Sequence, residues 1–222
     1  MPKLSGAQLR IDWEKRALAK GVSLSSVLLQ NLPPILNQHL HKWHIALVQS
    51  RLLPRMPQGS VVLDLACGYG RISLPIKVAR PDIQLLGLDF AFPYCQHYIE
   101  NVRSPAICAS TYSLPFVPDF LDGIVAITAL MYVETGQEEI VFQQLIHRLK
   151  PGGFALFLDP GTEFLKAASF FARSRTSTSG KGFRKYDYWQ LGQTRTTRIL
   201  EIGGCPVFSV FLPLMLGIAK NP

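Results

Sequence analysis

Long apolar runs are scarce in this 222-residue chain. The longest, Cys205 to Ala219, is shorter than the roughly 20 residues that span a bilayer. Pro206, Pro213 and Gly217 punctuate it, which suits two short strands and a turn. Cysteine is sparse too. The four residues, Cys67, Cys95, Cys108 and Cys205, form no CxxC pair and no metal-ligand spacing with histidine. They read as reduced thiols in a cytoplasmic protein, with no metal expected. The first twenty residues mix charged and apolar side chains, so no signal peptide is apparent. No internal repeat or low-complexity tract is visible. What the chain does have is 48% hydrophobic residues, enough for one globular domain with a sizeable core.

Acidic residues are few, 15 against 23 Lys and Arg, and the net charge is +8. The imbalance is uneven. Residues 1–60 hold eight basic and two acidic side chains; residues 61–163 hold six and eleven; residues 164–198 hold eight and one. An acidic middle flanked by basic segments fits either a solvated surface or an anionic partner approaching from the flanks.

Residues 1–53 read as helical. Pro33-Pro34 can open a helix to about Leu53, with Leu36, Leu40, Trp43 and Leu47 on one apolar stripe. From Ser60 strands alternate with helices. Strands are expected at VVLDLA, at Ile83–Asp89, Ala106–Ala109, Gly123–Ala129 and Phe154–Asp159. Helices are expected at Arg71–Ala79, Pro93–Val102 and Glu138–Lys150. This order predicts a parallel α/β sheet with helices on both faces. Residues 160–193 read as irregular and basic. Thr194 can cap a helix to Ile202, and the last segment reads as two strands, an antiparallel addition to the sheet.

In such a sheet ligands bind at the carboxyl ends of the strands. The first strand runs into Asp64-Leu65-Ala66-Cys67-Gly68-Tyr69-Gly70-Arg71. Gly68 and Gly70 permit a tight turn and close approach of a ligand, and the small Ala66 nearly does the same. Asp64 suits an ammonium group. Twenty-five residues on, Asp89 ends the next strand, where a carboxylate can accept both hydroxyls of a ribose, and Phe90 offers a face for adenine. A dinucleotide site would want G-x-G-x-x-G. The third glycine is absent here, and Asp64 would repel a pyrophosphate. The combination favours S-adenosylmethionine, which carries an ammonium and an adenosine.

VLDLACGYGR, LLGLDF, SLPFVPDFLDGIVAITAL (Ser113 to Leu130) and RLKPGGFALFLDP (Arg148 to Pro160) together resemble class I S-adenosylmethionine-dependent methyltransferases. The resemblance covers roughly Ser60 to Pro222 and is nearest the small-molecule, ubiquinone/menaquinone-like branch. It implies a Rossmann-like three-layer sandwich with a seven-stranded, mostly parallel sheet, its last strand antiparallel. It implies a helical cap or lid over residues 1–55 and a cofactor-binding domain over 56–222, with 160–193 a basic insertion near the acceptor pocket. It adds Ser110, Thr111, Thr128 and Ala129 to the expected cofactor contacts. The chain departs from the family pattern at Ser110, where an aspartate is common, and at Tyr132, where many members carry histidine.

Methyl transfer from a sulfonium needs positioning and a water-poor pocket more than acid–base chemistry. Candidate catalytic residues are His41 and His44, three apart on one face of the cap helix, and Tyr132 after the fourth strand, which is also a candidate for acceptor binding. An ordinary helix surface, opposite part of the Leu/Trp stripe, suits both histidines better. Tyr94 and His97 read as structural. Trp13 and Trp43 could form an aromatic wall near the sulfonium, Trp43 fitting core packing better. Arg173, Arg175, Arg184 and Lys185 are candidates for an anionic acceptor group. The expected reaction is transfer to a small molecule, leaving S-adenosylhomocysteine. The alternatives are a lipid or quinone acceptor at a membrane surface and a non-catalytic S-adenosylmethionine-binding protein. Nucleic acid is disfavoured because Ile127-Thr128-Ala129-Leu130 is not the Asn/Asp-Pro-Pro-Tyr type used on base amino groups.

Overall fold

The computed structural model describes residues 6–30, 33–161, 198–203 and 215–220, the last two stretches by their backbone. Five strands form a parallel sheet: β1 (Val61–Leu65), β2 (Gln84–Asp89), β3 (Ala106–Cys108), β4 (Leu121–Ile127) and β5 (Leu149–Asp159). This is a Rossmann-like α/β fold. Two more strands, β6 (Arg198–Gly203) and β7 (Met215–Lys220), follow beyond β5, giving the order β3-β2-β1-β4-β5-β7-β6. The β7 backbone runs antiparallel to both of its neighbours. Among the described residues no helix is long and apolar enough to cross a membrane.

β1 is apolar on both faces because both are covered. Leu63 and Leu65 pack with Ile124, Phe157 and the buried face of α6 (Glu138–Ile146). Val62, one residue out of phase, packs on the other face with Val125, Leu156 and Leu158. That second face is covered by α3 (Pro34–Leu47), α4 (Ser73–Ala79) and α5 (Phe92–Val102), and Asp64 shares its side of β1 with Val62. The sheet order reverses between β1 and β4, so their carboxyl ends form the usual ligand crevice of an open α/β sheet.

The amino-terminal helices close over that crevice. Trp13 and Ala17 of α1 (Gly6–Lys20) pack with Ala91 and Tyr94 at the start of α5. α2 (Leu24–Val27) is held from two sides. Arg16 Nη2 donates to the carbonyls of Ser25 (2.8 Å) and Leu28 (2.5 Å). The Asn37 amide both accepts from Leu29 N (3.1 Å) and donates to Leu29 O (2.7 Å). Each of these bonds satisfies a backbone group that one helical turn leaves unpaired.

Three expectations need correction. The buried face of α3 is Asn37, Leu40 and His44, continued by Val48, with Leu36, Trp43 and Leu47 only half-buried. Its rotation from the apolar stripe follows the two polar partners it meets, the Leu29 backbone and Arg71. α3 also ends at Leu47, and a wider π turn (Val48–Leu52) and a tight turn carry the chain to Arg55. Second, α6 stops at Ile146, and Pro151-Gly152-Gly153 lies inside β5. Lys150 Nζ pairs with the Asp122 carboxylate at 2.9 Å, tying the start of β5 to β4 across an irregular register. Third, Arg198–Gly203 is a strand where a helix to Ile202 was expected. Pairing with β7 gives that backbone non-local hydrogen bonds, and such tertiary context outweighs a weak local helix preference. The capping residue Thr194 and most of the basic segment, 162–193, lie outside the described residues, as does 204–214.

Candidate functional site

The β1–α4 connection is built from residues with positive φ: Ala66 (55°), Gly68 (53°) and Gly70 (83°). Glycine is favoured at two of them by space as well as conformation. A Cβ on Gly70 would stand 2.1 Å from Val102 Cγ2, and one on Gly68 would stand 2.8 Å from Val27 Cγ1. The loop is therefore pressed between α5 and the cap. Leu88 O accepts from Cys67 N (3.1 Å), and Cys67 O accepts from Gly70 N (2.9 Å), closing the turn.

This loop, the ends of β2 and β4, and the cap enclose a cavity. Its lining comprises Asp64, Ala66, Cys67, Gly68, Arg71, Ile72, Asp89, Phe90, Tyr94, Ile127, Thr128 and Tyr132, with Trp13 and Val27 from the cap. Gly70 shapes the loop from behind. Thr128 takes φ 60°, an unusual conformation for a β-branched residue, while its amide donates to Leu158 O at 2.6 Å. Ser110, Thr111 and Ala129 are not among the lining residues. Ser110 instead accepts from Tyr112 N (3.2 Å), and Ala129 is buried in the opposite core. Arg173, Arg175, Arg184 and Lys185 lie outside the described residues.

Two carboxylates dominate the polar wall. Asp64 accepts from Ser73 Oγ at 2.7 Å, and Tyr98 OH donates to the same Ser73 oxygen at 2.8 Å. Burial pushes the Asp64 carboxyl up to about 7, against the pull of the Ser73 hydrogen bond and of Arg71. Asp89 accepts from Gly68 N and Ala91 N, both at 3.0 Å. Burial lifts it to about 6, opposed by those backbone donors. Opposite them, burial draws the Arg71 guanidinium down to about 10, and Asp64 helps keep it charged.

Arg71 connects the site to the cap: its Nη1 lies 3.0 Å from His44 Nδ1. Burial and the adjacent cation hold His44 well below its ordinary range, so the ring is neutral and Nδ1 accepts. The expectation of a surface histidine is thus corrected at His44, which is 2% exposed. The buried Arg71 donor needed a partner, and α3 supplies it. His41 is half-buried, and burial followed by Arg71 lowers it too. Neither histidine lines the cavity.

The remaining wall is aromatic. Trp13 meets Tyr132 edge-on, ring centroids 5.4 Å apart, and Tyr94 at 6.1 Å. Tyr94 OH donates to Ser26 O at 2.7 Å, so a residue read as structural also faces the cavity. Burial raises the Tyr132 hydroxyl far above its usual value, which keeps it protonated. Trp43 stands apart, beside His44. Sequence reasoning missed Val27, Ile72, Tyr94 and Ile127 at the site. Val27 carries no local signal, because only the cap's placement brings it onto Gly68.

Residues 62–153 match the model of a family described as a methyltransferase domain. The chain is 25% identical over 161 residues to a tRNA (carboxymethyluridine(34)-5-O)-methyltransferase of Arabidopsis thaliana, covering 65% of this chain and 39% of that protein. It is 28% identical over 123 residues to a ubiquinone/menaquinone biosynthesis C-methyltransferase of Syntrophotalea carbinolica, covering 53% and 50%. The chain thus spans half or less of the length of these curated relatives. Its fold is similar to phosphoethanolamine N-methyltransferase 1 of Haemonchus contortus, solved with phosphoethanolamine and S-adenosylhomocysteine. The TM-score is 0.74 at 14% identity, covering 98% of this chain and 50% of that one. The matched stretch, residues 62–153, holds the glycine loop and both carboxylate strands, so this part of the chain is similar to a methyltransferase domain.

Proposed function

We propose that the protein transfers the methyl group of S-adenosylmethionine to a small-molecule acceptor by in-line displacement. The observation that carries this reading is the pairing of Asp64 and Asp89 on one cavity beside a glycine turn. Two buried carboxylates would repel a pyrophosphate and suit an ammonium and a ribose. The turn fits close approach of a ligand because it presents Gly68 without a side chain. Asp64 would hold the ammonium, Arg71 the carboxylate, Asp89 the ribose hydroxyls, and Phe90 would face the adenine. S-adenosylmethionine supplies, when bound, a methyl group already activated by the sulfonium. The residues around it orient and exclude water. Trp13, Tyr94 and Tyr132 form an aromatic wall suited to a sulfonium. Tyr132 would also meet the acceptor, as a hydrogen-bond donor rather than a base. His44 acts through Arg71 as a positioning residue, and His41 stands behind it. The basic residues Arg173, Arg184 and Lys185 would favour an anionic acceptor group. The edge strands β6 and β7 complete the seven-stranded sheet, with the antiparallel last strand that the motifs imply. The division into a 1–55 cap and a 56–222 domain belongs to the same reading.

Titration calorimetry with S-adenosylmethionine tests the cofactor half. Absence of binding, or binding unaffected by Asp89→Ala, refutes it. A second reading, an RNA acceptor, is supported by the plant relative named for a tRNA reaction and by the net charge of +8. Binding of RNA whose affinity falls steeply with salt, together with methyl incorporation into RNA, would favour it over a small acceptor.

A further inference from the structure

Cys95 and Cys108 come from different elements, α5 and β3, and both reach the Asp89–Phe90 segment. Asp89 and Cys108 are register partners between β2 and β3. Cys95 Sγ donates to Asp89 O and Cys108 Sγ donates to Phe90 O, each at 3.6 Å. Two thiols thus hold two consecutive carbonyls, those of the carboxylate residue and the aromatic residue of the cavity. Cys108 is exposed and Cys95 is buried, the arrangement of an attacking and a resolving thiol.

We propose that Cys95 and Cys108 are a dithiol–disulfide pair whose oxidation shifts the Asp89–Phe90 segment and weakens cofactor binding. The oxidant is a low-molecular-weight disulfide of the glutathione disulfide class. The Cys108 thiolate attacks one sulfur of that disulfide and releases the first external thiolate. Cys95 loses its proton, attacks Cys108 Sγ and expels the second. Two electrons pass from the protein thiols to the external disulfide, and the two protons end on the released thiols. The protein S–S bond, about 2.05 Å long, removes both S–H donors from the Asp89 and Phe90 carbonyls. The change must be taken up by the segment that carries them.

The effect on cofactor rests on the S-adenosylmethionine reading, whereas the bond and the shift of the segment do not. The full chain is incubated in glutathione redox buffers, and its disulfides are mapped by peptide mass spectrometry. Hydrogen exchange is followed over residues 88–94, and S-adenosylmethionine affinity is measured by calorimetry. The expected result is a Cys95–Cys108 bond, altered exchange in that window, and a Kd raised about fivefold or more. Dithiothreitol should reverse all three, and Cys108→Ser, at an exposed position, should abolish them. A bond to Cys67 or Cys205 instead, no bond at all, or a bond that leaves exchange and Kd unchanged overturns the proposal. Persistence of the oxidant effect in Cys108→Ser overturns it as well. A reduced protein that binds no S-adenosylmethionine refutes the cofactor reading, and the mapped bond and the exchange then decide this one.

Discussion

The cavity has a sheet wall and a cap wall, and the two are held by different physics. On the sheet side each functional group is a short distance in sequence from the strand that aims it. Asp64 sits in β1 and Asp89 ends β2, and Asp89 is fixed by backbone amides, that of Ala91 two residues on and that of Gly68 in the turn after the neighbouring β1. On the cap side nothing is local. Trp13, Val27 and His44 reach the site through side-chain hydrogen bonds and packing between segments far apart in sequence, such as His44 with Arg71 and Ser26 with Tyr94. A strand-end site tolerates loss of a distant contact. A cap site depends on it.

The largest expected effect lies on the sheet wall. Gly70→Ala puts a methyl group 2.1 Å from Val102 at φ 83°. It should cost about 3 kcal/mol in urea unfolding, overpacking and backbone strain together. Gly136→Ala, with a similar φ of 91° but open space around it, isolates the conformational part and should cost about 1 kcal/mol. Equal losses would show that crowding by α5 does not shape the loop.

Next comes Asp89→Ala. It deletes the acceptor of two backbone donors and the proposed ribose ligand. Calorimetry should show affinity for S-adenosylmethionine reduced about 10- to 100-fold. The cap-wall counterpart, His44→Ala, leaves a buried Arg71 donor without its acceptor. A loss of about 1–2 kcal/mol in unfolding free energy is expected, with His44→Gln recovering part of it through its amide oxygen. If His44→Ala is neutral, the cap does not depend on this contact.

The two walls should also answer pH with opposite sign. Asp64 and Asp89 titrate near 7 and 6 when folded, above their usual carboxylate value. Their contribution to stability is fully present below about pH 4 and is lost as pH rises through 6 to 7. His44 is lowered, so its contribution is present above its ordinary value and is lost as pH falls below about 6.5. Cofactor affinity follows the carboxylates. It should rise about tenfold between pH 6 and 8, with proton release on binding, and fall again as the ligand α-amino group deprotonates near about 8. Calorimetry in buffers of different ionisation enthalpy checks the proton release. A flat profile would mean that neither carboxylate meets a charged group. The smallest effect is Tyr132→Phe. The hydroxyl stays protonated, so a loss of no more than about threefold in kcat/KM is expected, roughly a weak hydrogen bond. A hundredfold loss would make it a participant in the chemistry.

Legibility in the sequence followed the same division. VVLDLACGYG announced a buried strand and a tight turn through its β-branched run and its glycines, and Asp89 was readable as the end of the next strand. These are local signals, and local backbone geometry realises them. The helix α3 was legible as a helix but not in its rotation. Its apolar stripe pointed to Leu36, Leu40, Trp43 and Leu47; of these Leu40 is on the packed face, which otherwise is Asn37 and His44. Polar residues entered the interior because each found a partner that periodicity cannot reveal. Arg198–Gly203 was misread because a short segment of mixed character takes its conformation from its neighbour strand.

By itself, the sequence determined the alternation of strands and helices, the glycine turn and the two carboxylates at strand ends, because each depends on a few consecutive residues and their backbone preferences. Only the tertiary structure decided which side chains complete and support the cavity: Trp13, Val27 and Tyr94 against the turn, His44 on Arg71, and Cys95 and Cys108 on the Asp89 and Phe90 carbonyls. Those pairings join residues from separate elements, and their free energy exists only once sheet and cap are packed together.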